Sequence, residues 1–430
     1  MKNKMKNIIF KMKDEKGGVL VSNFFSLAIL QVANFILPLI VIPHLVSVLG
    51  FEIYGLLAFA TAMVNYFTIL SDYGFNLTAT REISIHRESK DKLTEIFSSV
   101  MIIKFLFLLV GLILLLIITV FIDKFSQDFL LYNLTFGIVL GQVLFPVWFF
   151  QGMEKMKYIS ILNIVAKTIF LIAIFVFVKE KDDFYLVPVF NSLGFIIAGI
   201  IALYYIYKKF DVGFKIQKKE VLMVYLKDGW HIFISRIAVV LYTSNNILVL
   251  GLLTNNTSVG FYSISEKVIS AISALGAMIN RVLFPHLSKV WDENKLSYYR
   301  QFNSVIKSLI IIMIFILVLL YLASPYIIGF LSGGVKITES ISILKILAIT
   351  VVLFPIGGLF TQSFVTQKKN SLVTKVTLYT SLVNLTLVFV LVYFFDFYGL
   401  AITVVCVQLF QTLLNLKYFK FLKKKIVCVE

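Results

Sequence analysis

Apolar runs of about twenty residues, the length that crosses a hydrocarbon core, recur along the whole chain with short polar interruptions. They predict helical spans at 20–43, 53–76, 97–120, 130–151, 158–178, 184–207, 229–253, 260–285, 303–329, 341–364, 372–394 and 399–419. The longest interruption, "KKFDVGFKIQKKEVLMVYLKD" at 208–228, leaves equal numbers of spans on either side. The predicted organisation is an N-lobe (1–207), a basic linker (208–228), a C-lobe (229–419) and a basic tail (420–430). The halves echo each other: "GFEIYGLLAFA" opens the second span and "TSVGFYSISEK" the eighth, while "SSVMIIKFLF" resembles "NSVIKSLIII". Six spans per lobe give both the same topology, a parallel repeat with a central cavity expected between lobes. The fold class is therefore an all-α polytopic membrane protein of about twelve transmembrane helices in two pseudo-equivalent six-helix lobes.

Composition agrees. Of 430 residues, 59% are hydrophobic and 15% charged, with 42 Phe, whereas soluble domains carry roughly a quarter charged residues. The net charge of +17 falls between the apolar runs and speaks for orientation rather than nucleic-acid affinity. With the amino terminus inside, the inner segments hold roughly 28 Lys and Arg against about 4 in the outer loops. Both termini are expected in the cytoplasm. The basic start "MKNKMKNIIFKMKDEKGG" leads straight into further spans without a small-residue cleavage site, so no cleaved signal peptide is expected. Outer loops such as "TNNTSV" and "FDFY" leave no room for an extracytoplasmic domain.

Catalytic signatures are missing. No phosphate-binding G-x-x-x-x-G-K-[ST] loop occurs, and Gly333-Gly334 reads as a plain turn. His44, His86, His231 and His286 are not spaced as metal ligands, and Cys406 and Cys428 suggest neither a disulfide framework nor a metal site. The expectation is a protein that is not an enzyme and has neither metal nor cofactor.

What chemistry remains lies in polar groups within apolar helices, which are expensive there and mark pathways by default. Lys104, Lys307, Lys345 and Lys375 lie near predicted helix ends and read as snorkelling anchors. Lys167 sits about 13 Å into its helix at 1.5 Å per residue, beyond snorkelling reach, and shares a stripe with Ser160 and Asn163. Glu266, Ser270, Ser273, Ala277 and Arg281 make a longer stripe, beside Lys267 and Asn280. Two readings stand for it: close helix packing through small residues, or the lining of a pathway. Arg236, Thr243 and Asn246 share a side of the seventh span, with Asn245 adjacent, and the first span carries Gln31, Asn34 and Pro38. A helix proline frees a carbonyl and permits bending, static or mobile. Cations outnumber the deep acid, so the cavity would attract carboxylate or phosphate.

"IPHLVSVLGFEIYGLLAFATAMVNYFTILSDYGFNLTATREIS" resembles the first two helices of bacterial polysaccharide flippases of the Wzx type. "PVWFFQGMEKMKYISILNIVAK" resembles that family's fourth-to-fifth helix junction, and "LYTSNNILVLGLLTNNTSVGFYSISEKV" its seventh-to-eighth. The resemblance implies the fold of the multidrug/oligosaccharidyl-lipid/polysaccharide exporter superfamily and a multi-pass place in the bacterial inner membrane. It implies a substrate, undecaprenyl-pyrophosphate-linked oligosaccharide for O-antigen or capsule, flipped by alternating access. Asp72 and Arg81 occupy the family's motif positions at the cytoplasmic mouth. The chain departs from the pattern at Ser47-Val48, where a basic residue is common, and at Asn245-Asn246, where an acid is common.

The expected substrate-binding set is Lys167, Arg236, Arg281, Lys267, Arg81, Asn34, Asn163 and Asn246. Glu266 and Asp72 are the candidates for H+ or Na+ coupling. Expected partners are the lipid-linked oligosaccharide, membrane lipids and a polysaccharide polymerase of the same pathway, around a monomer that binds no nucleic acid. Two rivals stand beside this reading: an ion-coupled drug or small-solute antiporter of the same superfamily, and a membrane polymerase or glycosyltransferase. The first would prefer an acidic cavity, and the second a larger or more acidic outer loop.

Overall fold

A computed structural model describes the backbone of residues 15–243 and 245–427 and the side chains of 30–237, 240 and 245–424. The basic start at 1–14, the side chain of Thr243 and the end of the tail with Cys428 lie outside the described residues. Among those described there is no β-strand. The first helix, Glu15–Asp72, is broken at Gly50 (φ 79°), giving α1 (15–49) and α2 (51–72). Then follow α3 Phe75–Ile85, α4 Lys90–Phe121, α5 Phe129–Leu144, α6 Val147–Gly152, α7 Met156–Phe177 and α8 Leu186–Phe210. The second half holds α9 Lys219–Thr243, α10 Asn245–Leu253, α11 Asn256–Glu293, α12 Lys295–Leu331 and α13 Thr338–Thr366. The last helix, Asn370–Val427, is broken at Asp396 (φ 52°), giving α14 (370–395) and α15 (397–427). Nine of the described helical stretches are long and apolar enough to cross a membrane. Two of these contain the breaks at Gly50 and Asp396 and so hold two crossings each, and α9 with α10 supplies the remaining one, in agreement with the predicted count.

Several helix boundaries depart from the hydropathy pattern; α9, for one, begins at Lys219, inside the expected linker 208–228. The segment 77–96, expected as an inner loop, is helical over most of its length, because "FNLTATREISI" is a competent helix that charges merely make polar. Helix α4 begins at Lys90, seven residues before the expected 97, capped by Ser89, which accepts from the Lys92 N–H. The fourth span stops at Leu144 because Pro146 lacks the N–H that would continue it, and α6 restarts beyond. Helices α11 and α12, 38 and 37 residues long, reach about 55 Å at 1.5 Å per residue, well past a hydrocarbon core of about 30 Å.

The chain forms two compact units, 1–41 with 60–237, and 42–59 with 238–430. In the first, α5 lies along α8, and α7 along α8. A Cβ on Gly141 would come within 2.5 Å of Phe195 Cβ, and one on Gly194 within 2.6 Å of the Ala166 carbonyl oxygen, so small residues let these backbones approach. At the Lys/Arg-rich end, α3 packs on α6, and Trp148, Phe149 and Phe150 are fully buried. Trp148 is a core residue, turned inward by α6 against Phe97. Arg87 closes this corner, donating to the Gly152 carbonyl at 2.6 Å and pairing with Glu154 at 2.9 Å.

In the second unit, α11 packs on α13, and α13 on the α14–α15 pair. The hairpin 42–59 joins this unit through the two motifs that echo each other. A Cβ on Gly55 would lie 1.8 Å from the Asn256 carbonyl oxygen, and one on Gly260 would lie 2.2 Å from that of Phe51. Each glycine thus faces the carbonyl four residues before the other, a reciprocal contact that only residues without a Cβ allow. Phe51 and Phe261 pack alongside, their ring centroids 5.2 Å apart. Gly55→Leu or Gly260→Leu is expected to cost at least about 1–3 kcal/mol by overpacking, read as a lowered unfolding temperature of the purified protein. A leucine at half-buried Gly329, where an added Cβ would meet nothing within 4 Å, should leave that temperature nearly unchanged.

Candidate functional site

The sequence "SDYGF" ends α2 and starts α3. Tyr73 and Gly74 both take left-handed backbone conformations (φ 47° and 85°), which glycine tolerates freely and tyrosine only when its surroundings hold it. The surroundings are two helices. Tyr73 is stacked between Phe107 of α4 and Phe233 of α9, with centroids 4.9 and 4.7 Å away and planes within 27°. A Cβ on Gly74 would come within 2.7 Å of Ile232 Cγ2, and one on Gly229 within 2.8 Å of the Tyr73 ring, so α9 presses directly on the break.

One residue earlier, Asp72 makes the ionic counterpart of that stack. Its carboxylate, 7% exposed, accepts from Arg236 Nη1 of α9 at 2.8 Å. Lys104 of α4, 4% exposed, interacts electrostatically with the same carboxylate. Lys104 precedes Phe107 by three residues and Arg236 follows Phe233 by three, so each helix offers one ring and one cation to the Asp72-Tyr73 pair. One acidic side chain thus faces two basic ones within apolar helices. The expected role of Lys104 as a snorkelling anchor is therefore corrected. Its side chain is buried among packed helices near Asp72 rather than extended toward the headgroups.

The other expected residues distribute as follows. In the first unit Arg81 is exposed and pairs with Glu82 at 2.9 Å and with Asp228 at 3.0 Å, a partner not singled out from sequence. Asn34 and Lys167 are half-buried. Asn163, also half-buried, donates back to the Ile159 carbonyl at 3.0 Å. Arg236 alone of the expected cations joins Asp72 directly.

In the second unit Asn246 is buried and accepts from Asn384 Nδ2 at 3.1 Å. Glu266 accepts a short hydrogen bond from Ser270 Oγ, lies 3.8 Å from Lys267, and interacts electrostatically with the phenols of Tyr54 and Tyr262. Arg281 is exposed. Packing of α11 on α13 uses the neighbouring face: a Cβ on Gly276 would meet Pro355 at 2.4 Å, Asn280 donates to the Pro355 carbonyl at 2.9 Å, and Ser265 donates to that of Ser340 at 2.8 Å. The stripe from Glu266 to Arg281 is left half-buried to exposed. Among the described residues no cluster of His, Cys, Asp and Glu could hold a metal.

This helical architecture is shared by solved membrane transporters. A lipid II flippase, MurJ, in an inward closed conformation matches with a TM-score of 0.73 at 15% identity, over 94% of this chain and 87% of that one. An inward-facing multidrug resistance MATE family transporter of the MOP superfamily matches with 0.67 at 14% identity, over 94% and 99%. The sequence profile of the family described as "Polysaccharide biosynthesis protein" matches residues 20–291. The chain belongs to that family. It is similar to a "Putative O-antigen transporter" of Escherichia coli (strain K12), 29% identical over 94% of this chain and 98% of the relative. A protein of Shigella dysenteriae with the same description is 27% identical over 93% and 99%. The protein is a multi-pass transporter of the bacterial inner membrane, not an enzyme.

Removing Asp72 tests the charge cluster. Asp72→Ala is expected to cost about 3–5 kcal/mol, because it strands the buried Lys104 without its acid. Asp72→Asn combined with Lys104→Met should recover much of that loss, and denaturation of the purified variants measures both.

Proposed function

We propose that this protein flips undecaprenyl-pyrophosphate-linked oligosaccharide, an O-antigen or capsule repeat unit, from the inner to the outer leaflet by alternating access, with both termini cytoplasmic. The observation that carries the reading is the excess of basic over acidic side chains at this place in the first unit, where Arg236 pairs with Asp72 and the buried Lys104 lies in the field of the same carboxylate. Family membership and the names of the relatives support it. The barrier to flipping is the desolvation of a charged headgroup and its glycan. Fixed guanidinium and ammonium donors replace that hydration, while the isoprenoid tail stays in lipid.

In this reading Arg236, Lys167 and Arg81 in the first unit, with Lys267 and Arg281 in the second, bind pyrophosphate or acidic sugar. Arg236 is the most telling of them, because a pyrophosphate arriving there competes with Asp72 for the same guanidinium. Asn34, Asn163 and Asn246 contact the glycan. H+ or Na+ coupling enters at Glu266 and Asp72. The protein works as a monomer and hands its product to the polymerase of the same pathway.

Lys167→Ala and Arg236→Ala are expected to abolish surface polysaccharide while the protein remains in the membrane, read by immunoblot of surface glycan and of membrane fractions. Full glycan display in both variants would sink the cationic reading. Glu266→Gln should remove the dependence of flipping on an imposed ion gradient in proteoliposomes, and unchanged gradient dependence would exclude Glu266 as the coupling group.

A further inference from the structure

The first unit carries a feature that transport of a glycan does not use. A cavity of about 490 Å³ opens on its surface among α4, the end of α5, the end of α8 and the following segment 211–218. Its walls are almost wholly apolar, with Phe97, Met101, Leu106, Leu144, Leu203 and Phe214 among them. The wall residues Phe105, Leu106 and Leu109 are 41–54% exposed and belong to a helix that crosses the membrane. Whatever fills the slot therefore comes from the hydrocarbon.

The mouth of the slot is basic. Tyr207, Gly213 and Phe214 line it, and the same stretch, "YKKFDVGFKIQKK", supplies Lys208, Lys209, Lys215, Lys218 and Lys219. Its one acid, Asp211, is already taken by Lys90 at 2.7 Å, which holds that carboxyl below its ordinary value. Among the described residues no carboxylate lies within ion-pair distance of Lys208, Lys215 or Lys218. The segment is pinned in place, because the Lys215 N–H donates to Ser98 Oγ of α4 at 2.9 Å. Beside the lysines, Phe214 and Ile216 are 60% and 90% exposed, a juxtaposition of apolar and cationic side chains suited to the interfacial layer of a bilayer.

We propose that this is a binding site for an anionic phospholipid, with one acyl chain in the slot and the phosphate on Lys208, Lys215 and Lys218. The slot selects a chain and the lysines select the charge. A zwitterionic lipid satisfies only the first requirement, since its own cation competes at the phosphate. The site rests on residues of one unit and is independent of the glycan substrate.

Native mass spectrometry of the delipidated full-length protein tests it, using phosphatidylglycerol and phosphatidylcholine with identical chains. Phosphatidylglycerol is expected to bind the more tightly, with one molecule retained at low excess. The exposed-surface variant Lys208→Gln/Lys215→Gln/Lys218→Gln should lose that preference by about fivefold for each lysine removed. Leu106→Trp, which fills the slot at a half-exposed position, should weaken both lipids. Equal binding of the two lipids, or a preference that survives in the triple variant, would overturn the proposal. So would displacement of phosphatidylglycerol by an equimolar polyprenyl monophosphate, which would assign the slot to an isoprenoid.

Discussion

A charge inside hydrocarbon has to be met by another charge or by water, and in the first unit that requirement is met at Asp72. Its carboxylate sits at the end of α2, where the chain turns through two left-handed residues, and it is reached by Arg236 from α9 and felt by Lys104 from α4. Three helices far apart in sequence thereby share one carboxylate. The aromatic stack of Phe107, Tyr73 and Phe233 repeats the connection one residue further on. The ionic contact chooses the register and the stack supplies apolar area, so neither α4 nor α9 can slide along its axis without losing both. This explains why most of α9, residues 219–237, belongs to the first unit rather than the second.

Breaks in the helices obey a related constraint, since a carbonyl or N–H freed inside a bilayer needs a partner or burial in protein. At Tyr73-Gly74 the chain restarts within two residues, the Tyr73 N–H reaching Ile69 and those of Leu77 and Thr78 returning to Gly74. At 145–146 the Phe145 N–H closes on Gly141, and proline supplies the residue that has no N–H to satisfy. The stretch "FPVWFFQGMEKMKY" thus combines a buried aromatic corner with a turn whose Glu154, Lys155 and Lys157 are exposed. Its three consecutive aromatic residues fill the space between α3 and α4 that a straight helix would leave empty.

Much of this was legible from apolar periodicity, because the bilayer imposes one length on every crossing. The number of spans, the acid of the "SDYGF" motif and the pairing of the two glycine motifs all follow patterns visible in the sequence. The ends of helices were not legible, since hydropathy detects the membrane rather than the helix. Helix α3 is polar enough to look like a loop, and α4 extends seven residues into the polar layer. The Lys104 reading failed for a related reason: position along a helix does not say whether a side chain is turned toward lipid or, as here, buried inside the protein. The inward turn of Trp148 was not legible either, since a helix break turns a side chain through an angle that periodicity does not encode.

The two acids proposed for coupling differ in the company they keep, and the difference bears on which of them an ion could engage. Asp72 is bonded to one fixed cation and lies in the field of another, so a proton or sodium ion arriving there must displace Arg236 or share the carboxylate with it. Glu266 accepts from a neutral donor, the Ser270 hydroxyl, with the phenols of Tyr54 and Tyr262 nearby and Lys267 3.8 Å away and 48% exposed. A hydroxyl can turn from donor to acceptor by rotating, which lets it remain bonded whether the carboxyl carries a proton, binds a cation or does neither. A guanidinium has no such freedom. On the proposed reading the exchangeable ion belongs at Glu266, and Asp72 acts by competing with the anionic substrate for Arg236, holding the guanidinium in position until a stronger anion arrives.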